Sequence, residues 1–206
     1  MRPHIIGIAG ASCSGKTELA RQLSAKLKDV AIVSLDSYYR PLTDMPFAER
    51  CRQNFDDPAS LEWELLREHL QALAEGRAFE EPVYSFANYT RTAATRRIEP
   101  GAYAIVEGLF VLHWPELRAL LDTKIYVETD PAVCFARRLA RDIAERGRTT
   151  ESVHDQYERT VRPSAEWFVY PTRYHADLVV SGEEPLANST ASVLRFLSKP
   201  IAVASV

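Results

Sequence analysis

Short apolar, β-branched runs recur along the chain: HIIGIA (4–9), VAIVSL (30–35), YAIVEG (103–108), KIYVET (124–129) and ADLVV (176–180). Strands that are hydrophobic at nearly every position suit a parallel sheet covered on both faces. Between them the apolar positions follow a helical period. ELARQLSAKL (18–27) sets Leu19, Leu23 and Leu27 at i, i+4 and i+8 on one face. LEWELLREHLQALAEG (61–76) does the same and runs into Gly76, a C-terminal stop. Further helices are predicted over about 131–145, 150–168 and 186–198, the first capped by Asp130 with Pro131 in its opening turn. EEPVYSFANYTRTAATRRIEP (80–100) breaks the alternation. Its two extended runs around a polar centre predict a β-hairpin lying off the main sheet. The expected fold is α/β: a mostly parallel five-stranded sheet flanked by helices, in one domain over 1–206.

Composition changes this picture little but excludes partners. The chain of 206 residues is 46% hydrophobic and 26% charged, as in ordinary globular proteins. A net charge of −3 gives no pull toward a nucleic-acid polymer or an anionic membrane, so neither is an expected partner and any basic site must be local. The first apolar run is interrupted by Gly7 and Gly10, and no run is long enough for a signal peptide or membrane span. Cys13, Cys51 and Cys134 form neither a zinc pattern nor a disulfide framework, which points to a reducing, cytoplasmic setting.

The chemistry begins at GASCSGKT (10–17), between the first predicted strand and the first predicted helix. Gly10, Ala11, Ser12, Cys13, Ser14, Gly15, Lys16 and Thr17 match the Walker A pattern. Its glycines let the backbone curl so that successive N–H groups form an anion nest at a helix N-terminus. Lys16 is expected on the outer phosphates, and the Thr17 hydroxyl on a magnesium ion. The alternative is a glycine-rich turn that happens to contain GKT. Cys13 is either a small residue that fits the loop or a thiol activated by the helix N-terminus.

Two carboxylates follow the strands. Asp36, in LDSYYR, comes at the carboxyl end of the second predicted strand, on the edge where open α/β sheets bind ligands. There it can take a proton from an attacking hydroxyl, or serve as a turn or cap aspartate. Glu107 ends AIVEG and is expected to hold magnesium through water beside Thr17; a solvated strand-end glutamate is the other reading. RRLARDIAERGRTT (137–150) is a basic stretch that breaks at Gly147. Either it closes over phosphates as a helical lid, with Arg138 and Arg141 facing the same way, or it is a solvated face balanced by Asp142 and Glu145.

These pieces together resemble the uridine–cytidine kinases of the P-loop kinase superfamily. The matching segments are IIGIAGASCSGKT, LDSYYR, NFDDPAS, PVYSFANYTR, VEGLFVL, KIYVETD, RRLARDIAERGRTTESVHDQY and PTRYHADLVV, in family order over most of the chain. The resemblance implies ATP and Mg2+ as cofactors and transfer of phosphate to the 5′-hydroxyl of a pyrimidine ribonucleoside. It implies Asp36 as base, the 10–17 loop on ATP, Glu107 near magnesium, and Asp56 on the ribose 2′- and 3′-hydroxyls. Tyr39, Phe55, Tyr84 and Phe86 are implied as walls of the nucleoside pocket. Arg138, Arg148 and Gln156 match nucleoside contacts, and Arg141 and Arg146 phosphate-binding lid positions. A homotetramer and feedback by pyrimidine triphosphates are also implied.

Read from the residues alone, Tyr84 and Phe86, alternating with Ser85, are the buried face of a hairpin sooner than pocket walls. Other kinases of the superfamily, of the phosphoribulokinase or pantothenate kinase type, and a nucleotide-sensing module remain alternatives. Three positions depart from the family pattern: Leu35, Ser85 where aspartate is usual, and Tyr89 where a histidine often faces the base. A tyrosine whose proton is held by a protein acceptor offers a lone pair to the cytosine amino group, whereas one whose lone pair is taken by an arginine such as Arg138 donates and favours uracil; cytidine is the expected preference.

Overall fold

The computed structural model describes residues 2–198. The strands are β1 (His4–Ala9), β2 (Val30–Ser34), β3 (Phe79–Ser85), β4 (Thr90–Ile98), β5 (Tyr103–Glu107), β6 (Thr123–Glu128) and β7 (Leu178–Ser181). Five of them form one sheet in the order β2-β5-β1-β6-β7, and every pairing in it is parallel. β3 and β4 pair antiparallel as a separate two-stranded hairpin. The helices are α1 (Lys16–Lys26), α2 (Phe47–Arg50), α3 (Trp63–Ala74), α4 (Pro115–Arg118), α5 (Pro131–Arg146), α6 (Thr150–Gln156), α7 (Arg162–Ser164) and α8 (Leu186–Leu197).

The apolar strands are explained by two cores, one on each face. Side chains alternate across a strand, so Ile5 and Ala9 of β1 face Leu66, Leu70 and Leu73 of α3, whereas Ile6 and Ile8 face Leu19 and Leu23 of α1 and Val193 of α8. Each such side chain, taken fully out of water, stabilises by roughly 1.5–3 kcal/mol. Asp130 caps α5 as expected, accepting from the Ala132 N–H at 2.7 Å. Gly76 and Gly147 follow the ends of α3 and α5 with φ of 75° and 61°, the left-handed stop that glycine favours.

Two elements differ from the pattern reading. The predicted helix over 150–168 is a continuous helical run, but it widens to π geometry at Tyr157–Val161 and Ala165–Val169. Pro163 lies between these segments; it has no N–H to give the ladder and forces a local adjustment. β2 ends at Ser34, and Leu35–Tyr38 forms a 3-10 turn instead of extending the strand. Leu35 turns into the core against Gly108, where an added Cβ would stand 2.3 Å from the Leu35 Cβ. Glycine at 108 is what lets this turn sit against the end of β5.

Register then sets the site. Ile8 of β1 lies beside Glu107 of β5, and Ser34 of β2 lies beside the same Glu107. The loop after β1, the turn after β2 and the end of β5 therefore emerge together on one sheet edge. The hairpin is fastened to the outer strand by side chains. The Ser34 N–H donates to Glu81 at 3.1 Å, and Arg96 donates to the Ile32 carbonyl at 2.8 Å and to Glu81 at 2.9 Å. Such pairing covers an edge that would otherwise present open backbone groups.

Candidate active site

The loop between β1 and α1 turns through Cys13, at φ 65°, and Gly15, at φ 101°. A side chain at Gly15 would be strained, which accounts for glycine at the N-cap of α1. Lys16 rests with Nζ 3.3 Å from the Ala11 carbonyl. Ser12, Cys13, Gly15, Lys16 and Thr17 line a cleft of about 920 Å³, while Ala11 and Ser14 are buried beneath it. Gly10 leads into the loop, where an added Cβ would come within 2.7 Å of the Val127 carbonyl oxygen. The Thr17 hydroxyl donates to Glu107 at 3.2 Å, and the Ser34 hydroxyl donates to the other Glu107 oxygen at 3.2 Å. Glu107 is buried and held from two sides, with hard oxygen atoms beside the phosphate loop. Thr17 and Glu107 suit magnesium, which takes few protein oxygens and fills its shell with water and phosphate.

Asp36 projects from the 3-10 turn into the same cleft. Desolvation raises its pKa to about 6, and the neighbouring Glu107 charge adds to the rise; Lys16 and Arg146 oppose it. The turn is braced from the hairpin. Arg91 donates to the Tyr38 carbonyl at 2.8 Å and pairs with Glu62 at 2.5 Å, and the Leu42 N–H donates to Thr90 at 2.8 Å. With Glu81 holding Ser34, the hairpin grips the chain on both sides of Asp36.

Asp56 and an aromatic group form the far wall. Asp56 is buried with its carboxylate 3.7 Å from Arg138. Tyr39 packs on Phe55 and Tyr84 with ring centroids 5.3 and 5.1 Å apart, and its hydroxyl donates to the Phe55 carbonyl at 3.0 Å. Tyr84 is only partly buried and Phe86 is 49% exposed, so the pair does not form the closed inner face of a hairpin. Phe86 faces the cleft, with the Arg146 guanidinium 5.3 Å above its ring. Tyr89, at φ 52°, stacks on Phe55 at 5.7 Å. Among the described residues none hydrogen-bonds its hydroxyl, neither the acceptor expected to hold its proton nor Arg138, which donates to Ser12 and Gln156.

α5 forms the roof. Arg138, buried, donates to the Ser12 hydroxyl at 3.1 Å and to the Gln156 side-chain carbonyl at 3.3 Å. Arg148 also donates to Gln156. Arg138, Arg141, Arg146, Arg148 and Gln156 all line the cleft. The basic stretch is therefore not a solvated face. Its centre is Asp142, fully buried among Arg138, Arg141, Arg146 and Arg148. Sequence reasoning treated Asp142 only as a balancing charge, although its spacing of four from Arg138 and Arg146 was a readable signal. Ser34, Glu81 and Arg91 were missed with no comparable signal, because their partners lie far along the chain.

A parallel sheet with a Walker loop, an edge-strand carboxylate and an arginine-rich helix around one cleft defines a P-loop kinase. A model of the Phosphoribulokinase / Uridine kinase family matches residues 5–184, and the chain belongs to that family. It is 42% identical over 182 residues to a uridine kinase of Shewanella amazonensis, covering 85% of this chain and 86% of that one. It is 44% identical over 189 residues to a uridine kinase of Chloroflexus aggregans, covering 90% of each. Among solved structures, phosphoribulokinase from Rhodobacter spheroides superposes with a TM-score of 0.67 at 20% identity, over 90% of this chain and 74% of that one. D-glycerate 3-kinase from Cryptococcus neoformans does so with a TM-score of 0.60 at 19% identity, over 81% and 79%. These two likenesses concern the fold.

Proposed function

We propose that this chain transfers the γ-phosphoryl group of ATP to the 5′-hydroxyl of a pyrimidine ribonucleoside, cytidine or uridine. One observation carries the reading: Asp36, with its pKa raised to about 6, shares a single cleft with the Walker loop, Asp56 and the lid arginines. The similarity to uridine kinases supports the substrate class. A carboxylate poised just below neutrality is an effective general base at cellular pH. It accepts the proton as the 5′-oxygen attacks. Asp56 accepts hydrogen bonds from the vicinal ribose hydroxyls, and the aromatic wall of Tyr39, Phe55, Tyr84 and Phe86 holds the base. Lys16, Arg141 and Arg146 draw onto the phosphates, where charge is redistributed as the group transfers. Arg138, Arg148 and Gln156 hold the nucleoside from above. Magnesium at Thr17 and Glu107 would neutralise phosphate charge.

Tyr89 is the residue proposed to meet the edge of the base. Among the described residues its hydroxyl has no protein partner, so it can accept from the 4-amino group of cytosine or donate to the 4-carbonyl of uracil, and the acceptor on which the expected cytidine preference depended is not there. A homotetramer in the cytoplasm completes the reading. It is supported by the family resemblance and the absence of any disulfide framework; light scattering on the purified chain checks the assembly.

The test is a phosphoryl-transfer assay with ATP and magnesium against cytidine, uridine, their 2′-deoxy forms, ribulose 5-phosphate and pantothenate. Turnover of cytidine or uridine well above the rest is expected. Selective turnover of ribulose 5-phosphate or pantothenate, or nucleotide binding without turnover, overturns the proposal.

A further inference from the structure

The Asp142 carboxylate is fully buried yet faces four guanidinium groups, and its two oxygens divide them. Oδ1 receives Arg141 at 2.8 and 2.9 Å and lies 3.5 Å from Arg146. Oδ2 lies 3.6 Å from both Arg138 and Arg148 and accepts no hydrogen bond of good geometry. The Arg138 Nε is likewise buried without a partner. One carboxylate cannot satisfy four cations, so the pairs on Oδ1 and Oδ2 compete for its charge. The division matches the proposed roles, on which this inference rests: Arg141 and Arg146 belong to the phosphate side, Arg138 and Arg148 to the nucleoside side. The nucleoside side continues outward, since both of its arginines donate to Gln156 and Arg138 reaches Asp56.

We infer that Asp142 is a positioning residue that couples the two substrate sites through its shared arginines. Triphosphate draws Arg141 and Arg146 away from Oδ1. The released charge then tightens Arg138 and Arg148, which close on the nucleoside with Gln156. By linkage, nucleoside strengthens ATP binding by the same factor.

The experiment is calorimetry of cytidine and uridine binding to the full chain, with and without magnesium and the non-hydrolysable analogue adenylyl imidodiphosphate. In the wild type the analogue is expected to tighten nucleoside binding about fivefold or more. Asp142→Asn, checked for an unchanged circular dichroism spectrum, should bind nucleoside more weakly and gain less than about twofold from the analogue. Arg141→Gln gives an independent reading that needs no change in the buried carboxylate. Removing the strongest competitor for Asp142 should make nucleoside alone bind severalfold tighter, toward the wild-type value with analogue. A merely structural Asp142 predicts no such gain. Wild-type binding indifferent to the analogue overturns the inference, as does full coupling in Asp142→Asn or an Arg141→Gln variant that binds nucleoside no tighter. A wild type that binds neither nucleoside overturns the proposed function, and this inference with it. A wild type that binds and turns over nucleoside without coupling overturns this inference alone.

Discussion

The floor and the roof of the cleft are built on different principles. The floor consists of the Walker loop, the Asp36 turn and the end of β5. It is anchored by backbone register and by a core in which Ile8, Leu35 and Val106 are at most 1% exposed. Several of its polar groups are individually paired, Thr17 and Ser34 on Glu107, Ser34 on Glu81, and Arg91 on the Tyr38 carbonyl, while the buried Ser14 hydroxyl and Arg91 Nε have no partner among the described residues. The roof, made of α5 and the hairpin tip, carries charge in excess of its partners, and it meets the hairpin through Arg146 over an exposed Phe86. Under the proposed function the floor would carry phosphate binding and proton transfer, where small displacements are costly. The roof holds four arginines around the single buried carboxylate of Asp142, an arrangement that an anionic ligand would complete.

The largest effect is expected on the floor. Lys16→Ala should abolish turnover while leaving the circular dichroism spectrum and melting temperature near wild type, because among the described residues the one hydrogen bond of the Lys16 ammonium is a 3.3 Å contact to the Ala11 carbonyl. Near-normal turnover in this variant removes the phosphate loop from the mechanism.

Asp36→Asn comes next, with a loss of about 10²–10⁴ in kcat. The pH dependence gives a sharper form. A base with a pKa of about 6 is protonated and idle below that pH, so wild-type kcat/KM should rise through pH 6 and level off above it. Stability should move the other way. The folded pKa lies above the ordinary value of 3.8, so the folded chain binds more protons than the unfolded chain between about pH 4 and 6. This group therefore costs stability as pH rises through that window. Asp36→Asn should melt higher than wild type at pH 8, and the gap should close near pH 4. A variant less stable than wild type at pH 8 shows that desolvation does not dominate at Asp36.

On the roof, Arg141→Ala and Arg146→Ala should lower kcat while leaving the nucleoside KM near wild type or below it, because their charge is needed most in the transition state. Steady-state kinetics at saturating ATP separate the two. An equal or larger rise in the nucleoside KM places these arginines on the wrong substrate.

The smallest effect is expected at the hairpin tip. Tyr89→His should change the ratio of kcat/KM for cytidine over uridine, since the shorter imidazole presents a different donor or acceptor atom to the edge of the base in place of the phenol hydroxyl. Competition assays with both nucleosides measure the ratio directly. A ratio untouched by the substitution shows that Tyr89 does not select the base.

Much of the floor was legible in the sequence. All five sheet strands and the hairpin lie within a few residues of their predicted spans, because apolar runs and turn residues are local signals. Glycine at 10 and 15, with lysine and threonine following, marked the phosphate loop for the same reason. The end of β2 was misread by one residue because Leu35 is apolar in either conformation; contact with Gly108 turns it into a 3-10 turn. The run at 150–168 read as plain helix because its period is right, although Pro163 carried a warning of the π segments around it.

From its own order of residues the chain determined a parallel sheet, a Walker loop after its first strand, and carboxylates at the ends of the second and third main-sheet strands. Those features depend on neighbours a few positions away. The tertiary structure alone decided that Glu81 and Arg91 clamp the chain around Asp36, that Phe86 stays exposed to the cleft, and that Asp142 is buried among four arginines. It also decided that Asp36 titrates near 6, since desolvation and the nearness of Glu107, Lys16 and Arg146 are set by distances through space. Electrostatic energy follows separation and solvent exposure, and neither quantity exists until the chain has folded.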